Sequence, residues 1–265
     1  MPYPADERTV IAYSWGETMA KVISVLSGKG GTGKSTIAAS LALSLADAGA
    51  SVLAADMDIG LRSLDLLLGM ENRLIYDLGD ALAGTCPVRD ALAVHPRYSG
   101  LSLLCAPADL SKSFQVPETT ALLHSVSGRF DYLILDLPAG VGLSVLLARE
   151  LSDLNAVVTV PDLVTLRDSR KVADLMFTGS RKPCRLIVNK VSRETVQASG
   201  IRDLDEVMDM VGLPLLGVLP ADPFINSYSA DVTRGKRRSE LTQKIFDAMA
   251  QRIRGEYVPL LLQSL

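Results

Sequence analysis

Residues 28–36 read GKGGTGKST. Gly28, Gly33, Lys34 and Ser35 fall at the spacing G-x-x-x-x-G-K-[ST], the pattern that curls backbone N–H groups around phosphate oxygens. Gly28, Gly30, Gly31 and Gly33 give the turn its freedom, and a helix opening at Ser35 would point its positive end at the phosphates. Lys34 is expected to hold the β- and γ-phosphates and the Ser35 hydroxyl a Mg2+ ion, with Thr32 and Thr36 completing the loop. Lys29 is a second lysine in a loop whose pattern asks for one, and spacing alone gives it no task.

A magnesium ion beside phosphates needs carboxylates, usually reached through water. "LILDLPAG" ends an apolar run with Asp136, and "LAADMDIG" ends another with Asp56 and Asp58. Gly140 and Gly142, just after Asp136, are placed to hinge a loop that senses the γ-phosphate.

Runs rich in Val, Ile and Leu predict the elements that must position these groups. Strands are expected at Lys21–Ser27, Ser51–Asp56, Leu101–Ala106, Phe130–Asp136, Ala156–Val160, Arg185–Asn189 and Leu215–Leu219. Helices are expected at Ser35–Ala48, Gly142–Leu151, Leu163–Phe177 and Leu204–Val211. Alternation of this kind predicts an α/β fold, a doubly wound and mostly parallel sheet with helices on both faces. Ligands bind such sheets at the carboxyl ends of the strands, where the phosphate loop and the three acids fall.

Composition agrees. The 265 residues are 48% hydrophobic, which suits a sheet buried on both faces. A formal net charge of -3 offers no general basic field for nucleic acid or anionic lipid. Cys86, Cys105 and Cys184 lie far apart and are expected to be reduced structural thiols; His95 and His124 are expected at the surface or its boundary. Residues 1–18 lack both a packing period and the apolar core of a secretory signal, so they are expected to be a disordered extension or a misplaced start, with one domain over 19–265.

The loop KGGTGKST, with DMDIGLRSLDLLLG and DLPAGVG as two switch segments, VTLRDSRKV on a later helix and GVLPAD near the base, resembles the MinD/ParA ATPases, and among them the septum-site-determining MinD proteins. The likeness runs from about Met19 to Pro259. It implies a P-loop NTPase that binds ATP and Mg2+ and hydrolyses ATP to ADP and phosphate. It also gives Lys29 a role: in this family the extra lysine reaches across a homodimer formed with ATP and touches the partner's nucleotide. By the same resemblance Asp58 orients the attacking water, Asp56 and Asp136 serve the magnesium shell with Ser35, and Asn189 and Pro220 sit at the adenine.

MinC/MinE-like regulators are the partners the resemblance implies. The chain departs from MinD at its carboxyl end, where the segment after Gly255, EYVPLLLQSL, carries no base. Direct membrane binding is therefore expected to be weak or absent, with the protein cytoplasmic and brought to the inner face of the cell membrane by a partner. Leu241, Ile245, Met249 and Ile253, spaced four apart, predict a helix packed on the core, and the basic run 234–239 is read as a solvated loop. Two other functions share the loop. A ParA-type partitioning ATPase would track DNA, which the acidic balance disfavours. A metallocofactor carrier related to nitrogenase iron protein would need cysteines paired across the dimer.

Overall fold

The computed structural model describes residues 19–109, 115–178, 182–226 and 238–261. The expected extension 1–18 lies outside them, as does most of the basic run, 234–237. In chain order the first half contains β1 (Lys21–Leu26), α1 (Lys34–Asp47), β2 (Val52–Asp56), the short turns α2 (Leu64–Leu67) and α3 (Leu78–Leu82), a 3-10 turn (Val88–Ala91), β3 (Ala93–Val94), β4 (Leu101–Cys105), α4 (Val116–Ser127) and β5 (Tyr132–Asp136). The second half contains α5 (Leu143–Leu151), β6 (Leu154–Thr159), α6 (Leu163–Phe177), β7 (Cys184–Val191), α7 (Arg193–Ser199), α8 (Leu204–Val211), β8 (Leu215–Pro220) and α9 (Glu240–Ile253).

The strands form one sheet in the order β3-β4-β2-β5-β1-β6-β7-β8. Every pairing is parallel except that of the two-residue edge strand β3 with β4. Side chains alternate faces along a strand. On β1, Val22 and Leu26 enter one apolar cluster while Ile23 and Val25 enter the other. The first cluster is covered by α3, α4, α5, α6 and α8, the second by α1, α2 and α9. Burial on both sides is why the strands read as unbroken apolar runs. Ile245, Met249 and Ile253 of α9 are buried as their spacing predicts, and Leu241 packs at the margin. Beyond α9, Arg252 fastens the following segment by donating to the carbonyls of Leu216, Val258 and Pro259.

β1 is central. Its carboxyl end leads into the phosphate loop, and its neighbours β5 and β6 are joined by α5 across it. This is the crevice position of an open α/β sheet. Helix α6 closes the crevice from one side so tightly that a Cβ on Gly28 would lie 2.6 Å from the backbone carbon and oxygen of Asp168. Gly30, two residues on, has nothing within 4 Å of such a Cβ.

His95 is a correction to the sequence reading: it is 3% exposed and ties the β3–β4 hairpin to the end of α2. Its Nδ1 accepts the N–H groups of Arg97 and Tyr98 at 3.1 and 3.2 Å. Nε2 must then carry the proton and donate to the Leu68 carbonyl, 3.0 Å away. The ring is held neutral, and burial lowers its pKa below the ordinary 6.5.

Two outcomes follow from this packing. Gly28→Ala should destabilise the chain by about 1–3 kcal/mol, because the atoms in the way are backbone and cannot swing aside, whereas Gly30→Ala should cost under about 0.5 kcal/mol. Urea unfolding of the nucleotide-free variants measures both, and equal costs would contradict the close approach of α6. For His95 the folded pKa is depressed, so its contribution is complete above pH 6.5 and is lost as pH falls through the folded value, with a slope of at most about 1.4 kcal/mol per pH unit. The melting-temperature gap between wild type and His95→Asn should therefore narrow from pH 7.5 to pH 5.5; a constant gap would show that the ring does not titrate in this way.

Candidate functional site

The loop between β1 and α1 turns on Gly31 (φ 81°) and Gly33 (φ 91°), conformations that side-chain-bearing residues seldom adopt. Gly33 is further confined because the Asn189 amide lies where its Cβ would go. Helix α1 starts with no side chain capping it and no acid in its first turn. Its first N–H groups and its positive dipole end thus face the loop, an arrangement suited to phosphate.

The two lysines of this loop occupy opposite environments. Lys34 is 7% exposed, and its Nζ sits 2.6 Å from Oδ1 of Asp136, itself 1% exposed. Lys29 is exposed, and the charge it stands beside is Asp162, the residue that caps α6 by accepting from the Thr165 N–H. The N–H and hydroxyl of Thr165, with a smaller pull from Lys29, hold the Asp162 carboxyl below its usual range.

The acids meet at the ends of adjacent strands. Asp56 on β2 is the register partner of Asp136 on β5. Burial raises the pKa of Asp136 against the opposing pull of Lys34, and its Oδ2 is buried without a hydrogen-bond partner among the described residues. Asp56 is fully buried and is pushed up to about 6, first by desolvation and then by the Asp136 charge. It survives there because its Oδ1 accepts the Asp58 N–H at 3.0 Å and its Oδ2 those of Ser63 and Leu64 at 2.7 and 3.0 Å. Asp56 is thus the hub of the loop that carries Asp58. Hydrogen bonds from the described residues take three of its four lone-pair sites, so one remains that could accept from a metal-bound water. Asp58 itself is half-buried beside this cluster.

Ser35, Asp136 and Asp56 offer only oxygen, and the orphaned Oδ2 of Asp136 supplies an unused acceptor. This donor set fits a hard cation such as Mg2+ that keeps most of its own water. Gly140 (φ 101°) anchors the loop after β5 by donating to the Ser27 carbonyl just ahead of the phosphate loop.

A cavity of about 500 Å³ opens beside the phosphate loop, lined by Gly33, Thr36, Asn189, Lys190, Pro220 and Ile225 among others. Its position and size suit a nucleoside. The expected residues Asn189 and Pro220 are both in its wall. Asn189 also braces the loop, its Nδ2 donating to the Thr32 carbonyl at 2.8 Å, while its Oδ1 is buried without a partner among the described residues and able to accept from a base amino group. Thr36 donates to Oδ1 of Asn226 across the cavity. Sequence reasoning missed Lys190, which quotes as an ordinary residue after Asn189 but donates to the Gly31 carbonyl at 2.7 Å. A lysine one step past the expected end of that strand, and in fact inside β7, gives no signal of this by type or spacing.

Known proteins resemble this chain in sequence and fold. The family described as ParA, NUBPL iron-transfer P-loop NTPase, matches residues 18–254. The septum site-determining protein MinD of Helicobacter pylori is 35% identical over 248 residues, 91% of this chain and 92% of that protein. In the MinC:MinD cell division complex of Aquifex aeolicus, the matched chain superposes with a TM-score of 0.79 at 31% identity, covering 91% of this chain and 98% of its own. MinD of Pyrococcus horikoshii OT3, solved with Mg-ADP, gives 0.73 at 27% identity, covering 89% and 96%. With its phosphate loop, paired strand-end acids and sheet order in place, the chain belongs to the ParA/MinD family of P-loop NTPases.

Proposed function

We propose that this protein is a MinD-type ATPase switch: with ATP and Mg2+ two copies come face to face, the dimer engages a regulator, and hydrolysis to ADP and phosphate separates them. The observation that carries this reading is the contrast between the two lysines of one loop. Lys34 is buried and paired with Asp136, in position to serve its own subunit's nucleotide. Lys29 is exposed, with only a minor pull on nearby Asp162, and is available to phosphates presented by a second copy. Two anionic nucleotides facing one another need cations between them, and a symmetric pair of lysines supplies one from each side.

Apolar residues exposed at the same end of the sheet support an interface there. Val141 follows the Gly140 turn, Leu146 lies on α5, and Leu163 and Val164 form the first turn of α6; each is about half exposed. In the proposed cycle Lys34 exchanges the Asp136 carboxylate for the β- and γ-phosphates. Asp136, Ser35 and Asp56 would hold a magnesium ion, whose charge would offset that building on the phosphates. Asp58, fixed through its N–H to Asp56, orients the attacking water. Asn189 and Pro220 receive the adenine.

The regulator is of the MinC/MinE kind, as the MinC-bound relative suggests, and the output is placement of the division septum or of another cellular structure. We place the protein in the cytoplasm, recruited to the inner face of the cell membrane by its partner. The described stretch Glu256–Leu261 has one acid and no base, so it offers anionic lipid little. The family description also raises iron transfer. All three cysteines are buried, and burial pushes the Cys105 thiol up to about 12, so in this conformation none is presented to a metal cluster between subunits.

Three variants test the switch. Lys34→Ala should weaken ATP binding roughly 10- to 150-fold, the value of a hydrogen bond from a charged group. Lys29→Ala should bind ATP within a few-fold of wild type yet stay monomeric in light scattering and hydrolyse little; full dimerisation of this variant would sink the cross-subunit role. Asp58→Ala should bind ATP and dimerise but turn over about 100-fold more slowly or worse, since orienting the water matters mainly in the transition state. Wild-type turnover in that variant, measured with its regulator present, would remove Asp58 from the mechanism.

A further inference from the structure

Neighbouring residues on a strand face opposite ways, yet Asn189 and Lys190 both grip the phosphate loop. Asn189 Nδ2 donates to the Thr32 carbonyl and Lys190 Nζ to the Gly31 carbonyl, at 2.8 and 2.7 Å. The backbone explains how. The register of β7 against β8 shifts between Val188 and Val191, and within that irregularity Lys190 takes φ 56°. This left-handed conformation is uncommon for a lysine, and surrounding contacts must hold it in place. They do: the Lys190 carbonyl accepts from the Thr195 hydroxyl, and Thr195 belongs to the capping box that Ser192 opens at the start of α7.

The kink therefore brings an ammonium to the outer side of the loop. Drawing the Gly31 and Thr32 carbonyls outward turns the intervening peptide groups so that N–H donors are left for the inner side, the geometry of an anion nest. From this we infer that Lys190 is a positioning residue for the phosphate loop, acting on bound phosphate through the Gly31 peptide and not through the base, although its side chain also lines the nucleoside cavity. The inference rests on the phosphate-loop reading given above.

A base-free ligand separates these roles. Calorimetric titration of the full chain with Mg-ADP and with Mg-pyrophosphate compares wild type, Lys190→Asn and Lys190→Arg. Asparagine tolerates left-handed backbone, so the first variant removes the ammonium without adding strain. Lys190→Asn should weaken both ligands by the same factor, about tenfold, and Lys190→Arg should restore both to within about threefold by supplying another charged donor. Loss of ADP affinity alone would make Lys190 a base contact and overturn the inference; unchanged affinity for both would show the Gly31 bond to be idle. Equal losses in both variants, with a lowered melting temperature, would assign the effect to a damaged backbone and also overturn it. Failure of wild type to bind either ligand would overturn the phosphate-loop reading itself.

Discussion

Lys34 brings a full positive charge to a place where water scarcely reaches, and Asp136 brings the matching negative charge. Neither suits that position alone. Burial disfavours the charged form of a carboxylate and of an ammonium alike. At 2.6 Å the two satisfy one another and tie the start of α1 to the end of β5. Because β5 lies between β1 and β2, this contact sets the phosphate loop against the strand that precedes it and against the strand that carries the other acids. That pair fixes the inner wall of the crevice, while α6 closes it from one side.

The same pair governs the loop beyond β2. Asp56 is the register neighbour of Asp136, and each charge raises the cost of the other. Lys34 relieves one carboxylate, while three backbone N–H groups from Asp58, Ser63 and Leu64 relieve the other. If phosphates draw Lys34 away, as the proposed cycle requires, two buried carboxylates lose their nearby cation. A hydrated divalent ion would restore the balance, so in the proposed cycle nucleotide and magnesium would act as a unit. It also gives the loop bearing Asp58 a direct reason to respond, because its anchor Asp56 is one member of the unbalanced pair.

The strands buried on both faces were legible because their sequence has no polar face to confuse the period. The phosphate loop was legible because its glycines and lysine have fixed spacing. Other elements carried less signal. The edge strand β3 is two residues long, and α2 and α3 are single turns whose existence depends on Asp56 and on the Asp77–Asp80 capping box. The burial of His95 depends on Arg97, Tyr98 and Leu68 meeting around it, which no periodicity encodes. In the site, residue type predicted that Asn189 would stand near the nucleotide, but its grip on Thr32 and the neighbouring grip of Lys190 come from a strand irregularity visible only once β7 and β8 are paired.

The exposed lysine and the apolar surface around it have a common origin in the packing of α6. Gly28 has no Cβ, so the helix can come against the loop at Asp168. That approach sets the amino end of α6 at the mouth of the crevice, where its cap Asp162 faces Lys29 and its first turn exposes Leu163 and Val164. A larger residue at position 28 would push the helix back and separate the cation from the apolar surface. An interface needs both at once, since apolar area supplies attraction regardless of nucleotide while the lysine makes the attraction answer to phosphate. Their shared dependence on one glycine means that the loop which binds nucleotide within a subunit also builds the surface through which a second subunit would detect it.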